Sequence, residues 1–132
     1  LGQLISDEVT VAMFDFYFQT VLDDQKYMLI DGYPRTIEQV VSLMKTSMTH
    51  KRQLIGIHLE LDRATATQRM LDRGRADDQP AIIDKRIDVF YEKTIPNIEL
   101  FEKLFPVVTI DASQSIEQVH QAIMAELGET VS

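Results

Sequence analysis

Residues 6–22, SDEVTVAMFDFYFQTVL, begin with a serine and two acids and then turn apolar for several turns. The pattern predicts a largely buried helix with Ser6 or Asp7 as N-cap and Met13, Phe14, Phe16, Tyr17 and Phe18 as core. YMLID, 27–31, is a short apolar run between DDQK and GYP, which predicts a strand buried on both faces. Thr36 is placed to cap IEQVVSLMKTSM, with Gln39 three residues on as in a capping box. Ile37, Val40, Val41 and Met44 share one face of that helix.

LIGIHLEL, 54–61, is the clearest strand, and DRATATQRMLDR, 62–73, reads as a helix capped by Asp62 and ended by Gly74. After the polar GRADDQ, AIIDKRIDVFYEKT has helical spacing, and Pro96 restarts or kinks the chain into NIELFEKLF. VVTID, 107–111, is a third strand, and SIEQVHQAIMAELG is an amphipathic helix ended by Gly128. Strands alternating with helices imply an α/β fold with a parallel sheet, here as one domain over residues 1–132. Ligands of such sheets bind beyond the carboxyl ends of the strands, where Asp31-Gly32 and Asp111 fall.

Composition narrows the function. The net charge of -8 argues against broad binding to nucleic-acid backbones, which favours a basic face. No apolar stretch suits a membrane span, the start LGQLISDE lacks the basic opening of a signal peptide, and cysteine is absent. A soluble, cytoplasmic protein without disulfides or cysteine-ligated zinc is expected. Yet five of the seven arginines, Arg63, Arg69, Arg73, Arg75 and Arg86, lie close together, so the positive charge is concentrated.

Two constellations could carry chemistry. In DGYPR, Gly32 lets backbone approach a ligand, Pro34 stiffens the turn, Arg35 offers a planar fork to phosphate or carboxylate, and Asp31 could hold a hydrated divalent cation. A plain strand-to-helix turn with an exposed arginine fits the same residues. In the second, Arg69 and Arg73 share a helix face, Arg75 follows Gly74, and Arg86 lies in the next helix. These arginines suit a polyphosphate clamp compensated by Asp77 and Asp78. Residues 62–93 also hold seven basic and seven acidic residues, so a solvated, internally paired face is the alternative. His58 reads as a packed strand residue, His50 and His120 as exposed, and Glu60 and Asp62 as solvent and capping groups.

GQLISDEV, DGYPRTIEQ, RMLDRGRADDQP, DKRIDVFYEKTIPNIELF and VVTIDASQSIEQV, in this order, resemble adenylate kinase and its nucleoside-monophosphate kinase relatives. The resemblance covers essentially the whole chain. It implies a three-layer parallel sheet of the P-loop kinase type and the reaction of ATP with AMP to give two ADP, with magnesium. It puts Gln3, Leu4 and Ile5 against the acceptor adenine, Gln39 on its base edge, and Gly32, Tyr33, Pro34 and Arg35 around its phosphate. It further implies a cis Tyr33-Pro34 bond, Asp31 ordering the magnesium waters, and Arg69, Arg73, Arg75 and Arg86 closing over the donor triphosphate. Gln114 would border the donor adenine. The spacing of Arg73 and Arg75 leaves room only for a very short lid near 74–79, without zinc.

Three features that the resemblance implies are missing. The family's GxxGxGK-type loop, which holds donor phosphates, has no counterpart among glycines 2, 32, 56, 74 and 128. The family's first strand, which lies between the strands matching YMLID and LIGIHLEL, and its acceptor-side helix with its arginine are also unmatched. The sequence therefore predicts an altered sheet, a homodimer that completes it, or a piece of a longer protein. It predicts weak or no activity for this chain alone. A non-catalytic nucleotide-binding or interaction module, or a kinase for another nucleoside monophosphate, is the alternative.

Overall fold

The computed structural model describes residues 6–21 and 27–130, which fall into two compact units, one up to Leu54 and one from Ile55 onward. The first contains α1 (Asp7–Val21) and α2 (Ile37–Thr49). Ser6 starts α1, its carbonyl accepting from Thr10 N at 3.0 Å and its hydroxyl from Val9 N at 3.4 Å. Phe18 of α1 and Val40, Leu43 and Ser47 of α2 are buried, and Thr46 Oγ1 joins the helices by donating to Asp15 Oδ1 at 2.8 Å. Burying a Val or Leu side chain is worth about 1.5–3 kcal/mol.

The expected faces need correction. On α2 the buried stripe runs through Val40, Leu43 and Ser47, while Ile37 and Val41 are exposed. Among the described side chains of α1 only Phe18 is buried; Val9, Met13, Phe16 and Tyr17 are exposed, Phe16 at 70%, so this is not a largely buried helix. A single neighbouring helix can cover only one stripe of a helix that is apolar nearly all round.

Residues 27–31 are not a strand. They carry no ladder, and Tyr27 and Leu29 are 74% and 88% exposed. An apolar run becomes a strand only where a neighbour takes its backbone hydrogen bonds, and among the described residues none does.

The second unit holds the whole described sheet, two parallel strands, β1 (Gly56–Glu60) and β2 (Val107–Asp111), in register from Gly56↔Val107 to Glu60↔Asp111. The connection carries α3 (Arg63–Arg73), α4 (Pro80–Val89), a π turn (Phe90–Thr94) and α5 (Ile95–Leu104); α6 (Ile116–Thr130) follows β2. Class α/β is observed, with fewer strands than the three predicted. Ile83, Ile87, Ile110 and Ala112 form the buried centre. At Gly56 a Cβ would stand 2.9 Å from Val107 Cγ2 and 3.2 Å from Phe101 Cε1, so β1 starts where only glycine fits.

Local signals explain most boundaries. Asp62 Oδ1 caps α3 through Thr65 N at 2.9 Å, and Gly74 ends it at φ +66°. Pro96 neither stops nor sharply restarts the helix: the turn before it widens, with Ile95 N donating to Phe90 O, five residues back. Pro96 has no N–H to give, and Asn97 Nδ2 donates to Lys93 O at 2.6 Å. Gly128, expected as a terminator, lies inside α6, because its φ is not positive and nothing forces the chain to turn there. Among the described residues no helix is long and apolar enough to cross a membrane.

Candidate functional site

Each unit carries one constellation. In the first, the DGYPR loop folds onto itself. Gly32 takes φ +74°, the Tyr33-Pro34 bond is cis as the resemblance implied, and Arg35 Nε donates to Gly32 O at 2.7 Å. A Cβ on Gly32 would stand 2.7 Å from Arg35 Nη2, so glycine lets the guanidinium lie against the turn.

Thr36 is the N-cap of α2, its Oγ1 accepting from Gln39 N at 3.3 Å. The return arm of the capping box lands one residue early: Gln39 Oε1 accepts from Arg35 N at 2.6 Å. Gln39 Nε2 donates to Asp7 Oδ1 at 2.7 Å, tying the loop to the start of α1. Tyr33 stacks on Phe14, centroids 4.4 Å apart, and its hydroxyl donates to Gln39 O at 3.3 Å. Burial pushes the Tyr33 phenol pKa up, a hydrogen bond with Ser42 works against that shift, and the charges of Asp15 and Asp7 add to it. Gln39 is buried, whereas Asp31, Gly32 and Arg35 are exposed.

In the second unit the arginines divide. Arg73 grips Asp78 with both prongs, Nε to Oδ2 at 2.9 Å and Nη2 to Oδ1 at 2.8 Å, and Asp78's side chain has no accessible surface. Arg75 N donates to the same carboxylate at 3.1 Å, closing the short turn after Gly74. Arg86 Nη1 lies 3.2 Å from Asp77 Oδ2 and 3.6 Å from Asp78 Oδ1. The Arg73 bond, outweighing desolvation, holds the Asp78 carboxyl below its ordinary pKa and raises that of Arg73. Asp77 and Asp78 thus compensate two of the four expected arginines, Arg73 and Arg86.

Arg69 does not join them. Its guanidinium donates to Ala112 O at 2.6 Å, Ser113 O at 3.1 Å and Gln114 O at 3.2 Å, bracing the loop after β2. Gln114 Nε2 in turn reaches Asp111 Oδ2 at 3.4 Å. Arg75 is exposed, and among the described residues its guanidinium meets no carboxylate. Gln3, Leu4 and Ile5 lie outside the described residues.

Arg73 and Arg86 open on a cavity of about 590 Å³. The consecutive residues 58–63, from the end of β1 to the start of α3, line one side, and Met70, Ile87, Phe90, Tyr91 and Ile95 supply an apolar wall. His58 is half-buried here; His50 and His120 are exposed. A second cavity of about 430 Å³ is lined by Leu59, Arg69, Gln114 and Ile116. Both are within the size range of small-molecule sites. Among the described residues no group of three or more His, Asp or Glu could cage a metal ion.

Sequence reading missed two ties. Asp7 holds Gln39 across 32 residues, which no local pattern signals. Arg63 bridges α3 to Asp84 and Asp88 of α4 at 3.2 and 2.7 Å; the i, i+4 spacing of those acids was the available clue.

The adenylate kinase family model matches residues 1–105. The chain is 32% identical over 123 residues to an adenylate kinase of Synechococcus sp. (strain CC9902), covering 92% of this chain and 66% of that protein. It is 33% identical over 123 residues to that of Parasynechococcus marenigrum (strain WH8102), with the same coverage. It is likewise 33% identical over 124 residues to that of Oenococcus oeni (strain ATCC BAA-331 / PSU-1), again 92% and 66%. The chain thus spans about two-thirds of the length of the curated relatives it matches.

Proposed function

The chain belongs to the adenylate kinase family, and on that premise we propose that it is part of an ATP:AMP phosphotransferase, with the arginine cavity serving the donor phosphates. The observation that carries this reading is the pair Arg73 and Arg86, gathered around buried Asp78 at the mouth of a cavity of about 590 Å³. Phosphoryl transfer needs positioned positive charge more than covalent chemistry. Two guanidiniums held by a carboxylate supply that charge without collapsing onto each other, and exposed Arg75 can reach further phosphate oxygens. Arg69 and Gln114 border the donor base, with Arg69 acting through the loop carbonyls it braces.

On the acceptor side, Gly32, Tyr33, Pro34 and Arg35 receive the monophosphate and Gln39 its base. Gln3, Leu4 and Ile5 are assigned to the base by resemblance alone. Magnesium fits as an ion brought by the nucleotide: one exposed carboxylate, Asp31, suits a water-mediated ligand, and no cage is required. When bound it neutralises phosphate charge. Among the described residues β1 pairs only with β2, and its other edge suits a strand from a second copy of the chain.

A second reading is favoured by one sequence feature, the absence of a GxxGxGK pattern. Without those amides and that lysine, the chain alone binds nucleotide and turns it over weakly or not at all. Calorimetric titration with AMP and with ATP-magnesium, beside an assay of ADP formation, separates the two. Turnover at roughly one per second or faster establishes a kinase. AMP binding without turnover supports the binding module, and binding of neither nucleotide sinks both.

A further inference from the structure

A glutamine amide has two ends of nearly equal shape and opposite hydrogen bonding, so its orientation decides which ligand edge it complements. At Gln39 two contacts set that orientation. Arg35 N–H needs an acceptor and meets Oε1 at 2.6 Å; the Asp7 carboxylate needs a donor and meets Nε2 at 2.7 Å. A flipped amide would oppose donor to donor and acceptor to acceptor, at a residue only 5% exposed. Unpaired buried groups make that state costly, and the charge of Asp7 strengthens the correct one. Each end of the amide retains unused capacity, one N–H and one lone pair beyond these two bonds.

We infer that Asp7 is a positioning residue that, with the backbone N–H of Arg35, fixes the Gln39 amide to accept a 6-aminopurine and refuse a 6-oxopurine. This rests on the reading that the acceptor base meets Gln39. Adenine presents an N6–H donor beside a ring-nitrogen acceptor, which the fixed Oε1 and Nε2–H match; guanine and hypoxanthine put the O6 acceptor where Oε1 also offers a lone pair. Turning the amide to suit them forfeits both contacts, so the preference is built by a residue that need not touch the base.

The test titrates the full chain with AMP, GMP and IMP, comparing wild type with Asp7→Ala and Asp7→Asn. Asp7→Ala removes the acceptor for Nε2 and should cut the AMP-over-GMP preference about tenfold. Asp7→Asn still offers an amide oxygen to Nε2 and should retain most of the preference. An unchanged ratio in Asp7→Ala, with both nucleotides weakened alike, overturns the inference and leaves the base-contact reading intact. Wild type that binds AMP no better than GMP overturns the reading and the inference together. Independently of ligand and of any variant, nuclear Overhauser contacts should link the Gln39 side-chain amide protons to Asp7 in the free chain; their absence also overturns the inference.

Discussion

Arg73 and Asp78 face each other as fork and carboxylate, two bonds of 2.9 and 2.8 Å formed with an acid whose side chain solvent does not reach. The pair closes the five-residue span from the last turn of α3 to the residue before the N-cap of α4. It also brings Arg86 within 3.6 Å of the same carboxylate. Asp78→Ala should therefore lower Tm by several degrees and weaken ATP binding, because two guanidiniums lose the group that gathers them. Thermal unfolding read beside calorimetry checks both effects.

Arg75→Ala makes the contrasting case. Its side chain is exposed and meets no carboxylate among the described residues, so Tm should hold while triphosphate binding falls. A matching loss of Tm would mean that Arg75 braces the turn rather than awaiting an anion.

Acid should loosen the arginine unit. The Asp78 carboxyl titrates below its ordinary 3.8, chiefly through its bond from Arg73, so the folded chain binds that proton less readily than the unfolded chain. The stabilisation is complete above the ordinary value and is lost as pH falls through the folded pKa. Asp62, through Thr65, and Asp111, through Ser113, act with the same sign. Tm should drop most steeply below about pH 4, and Asp78→Asn should flatten that drop.

Two glycines should respond oppositely to alanine. At Gly32 the positive φ and the Arg35 guanidinium both resist a Cβ, so Gly32→Ala should cost about 1–2 kcal/mol and displace Arg35. At Gly128, inside α6 with nothing within 4 Å of the added Cβ, Gly128→Ala should gain about 0.5–1 kcal/mol. Urea unfolding of the two variants measures the signs directly.

Ile83, fully buried in α4, anchors the centre of the second unit. Ile83→Ala should cost about 2–5 kcal/mol in urea unfolding. A cost near that of a surface substitution would place the core elsewhere.

Local chemistry was readable where a few neighbouring residues decide the outcome. Thr36 and Asp62 cap because a side-chain oxygen reaches an amide N–H three residues on, and Gly74 ends a helix because a residue without Cβ accepts a positive φ. The cis bond before Pro34 and the pairing of Asp77 and Asp78 with arginines were legible in the same way, the first through resemblance and the second through charge.

Where partners are distant in sequence, the same reasoning failed. YMLID has the composition of a buried strand, but strand formation depends on a neighbour's backbone, and Leu29 stands exposed. Gly128 has the look of a terminator, but a glycine ends a helix only where the chain must turn.

By itself the sequence determined the α/β class, the family resemblance, the helix caps and the concentration of arginines, since these depend on composition and short-range spacing. Only the tertiary structure decided that Arg69 braces carbonyls while Arg73 and Arg86 share Asp78, and that Gln39 donates to Asp7. An arginine's charge is written in the chain, but its partner is whichever group folding brings within about 3 Å.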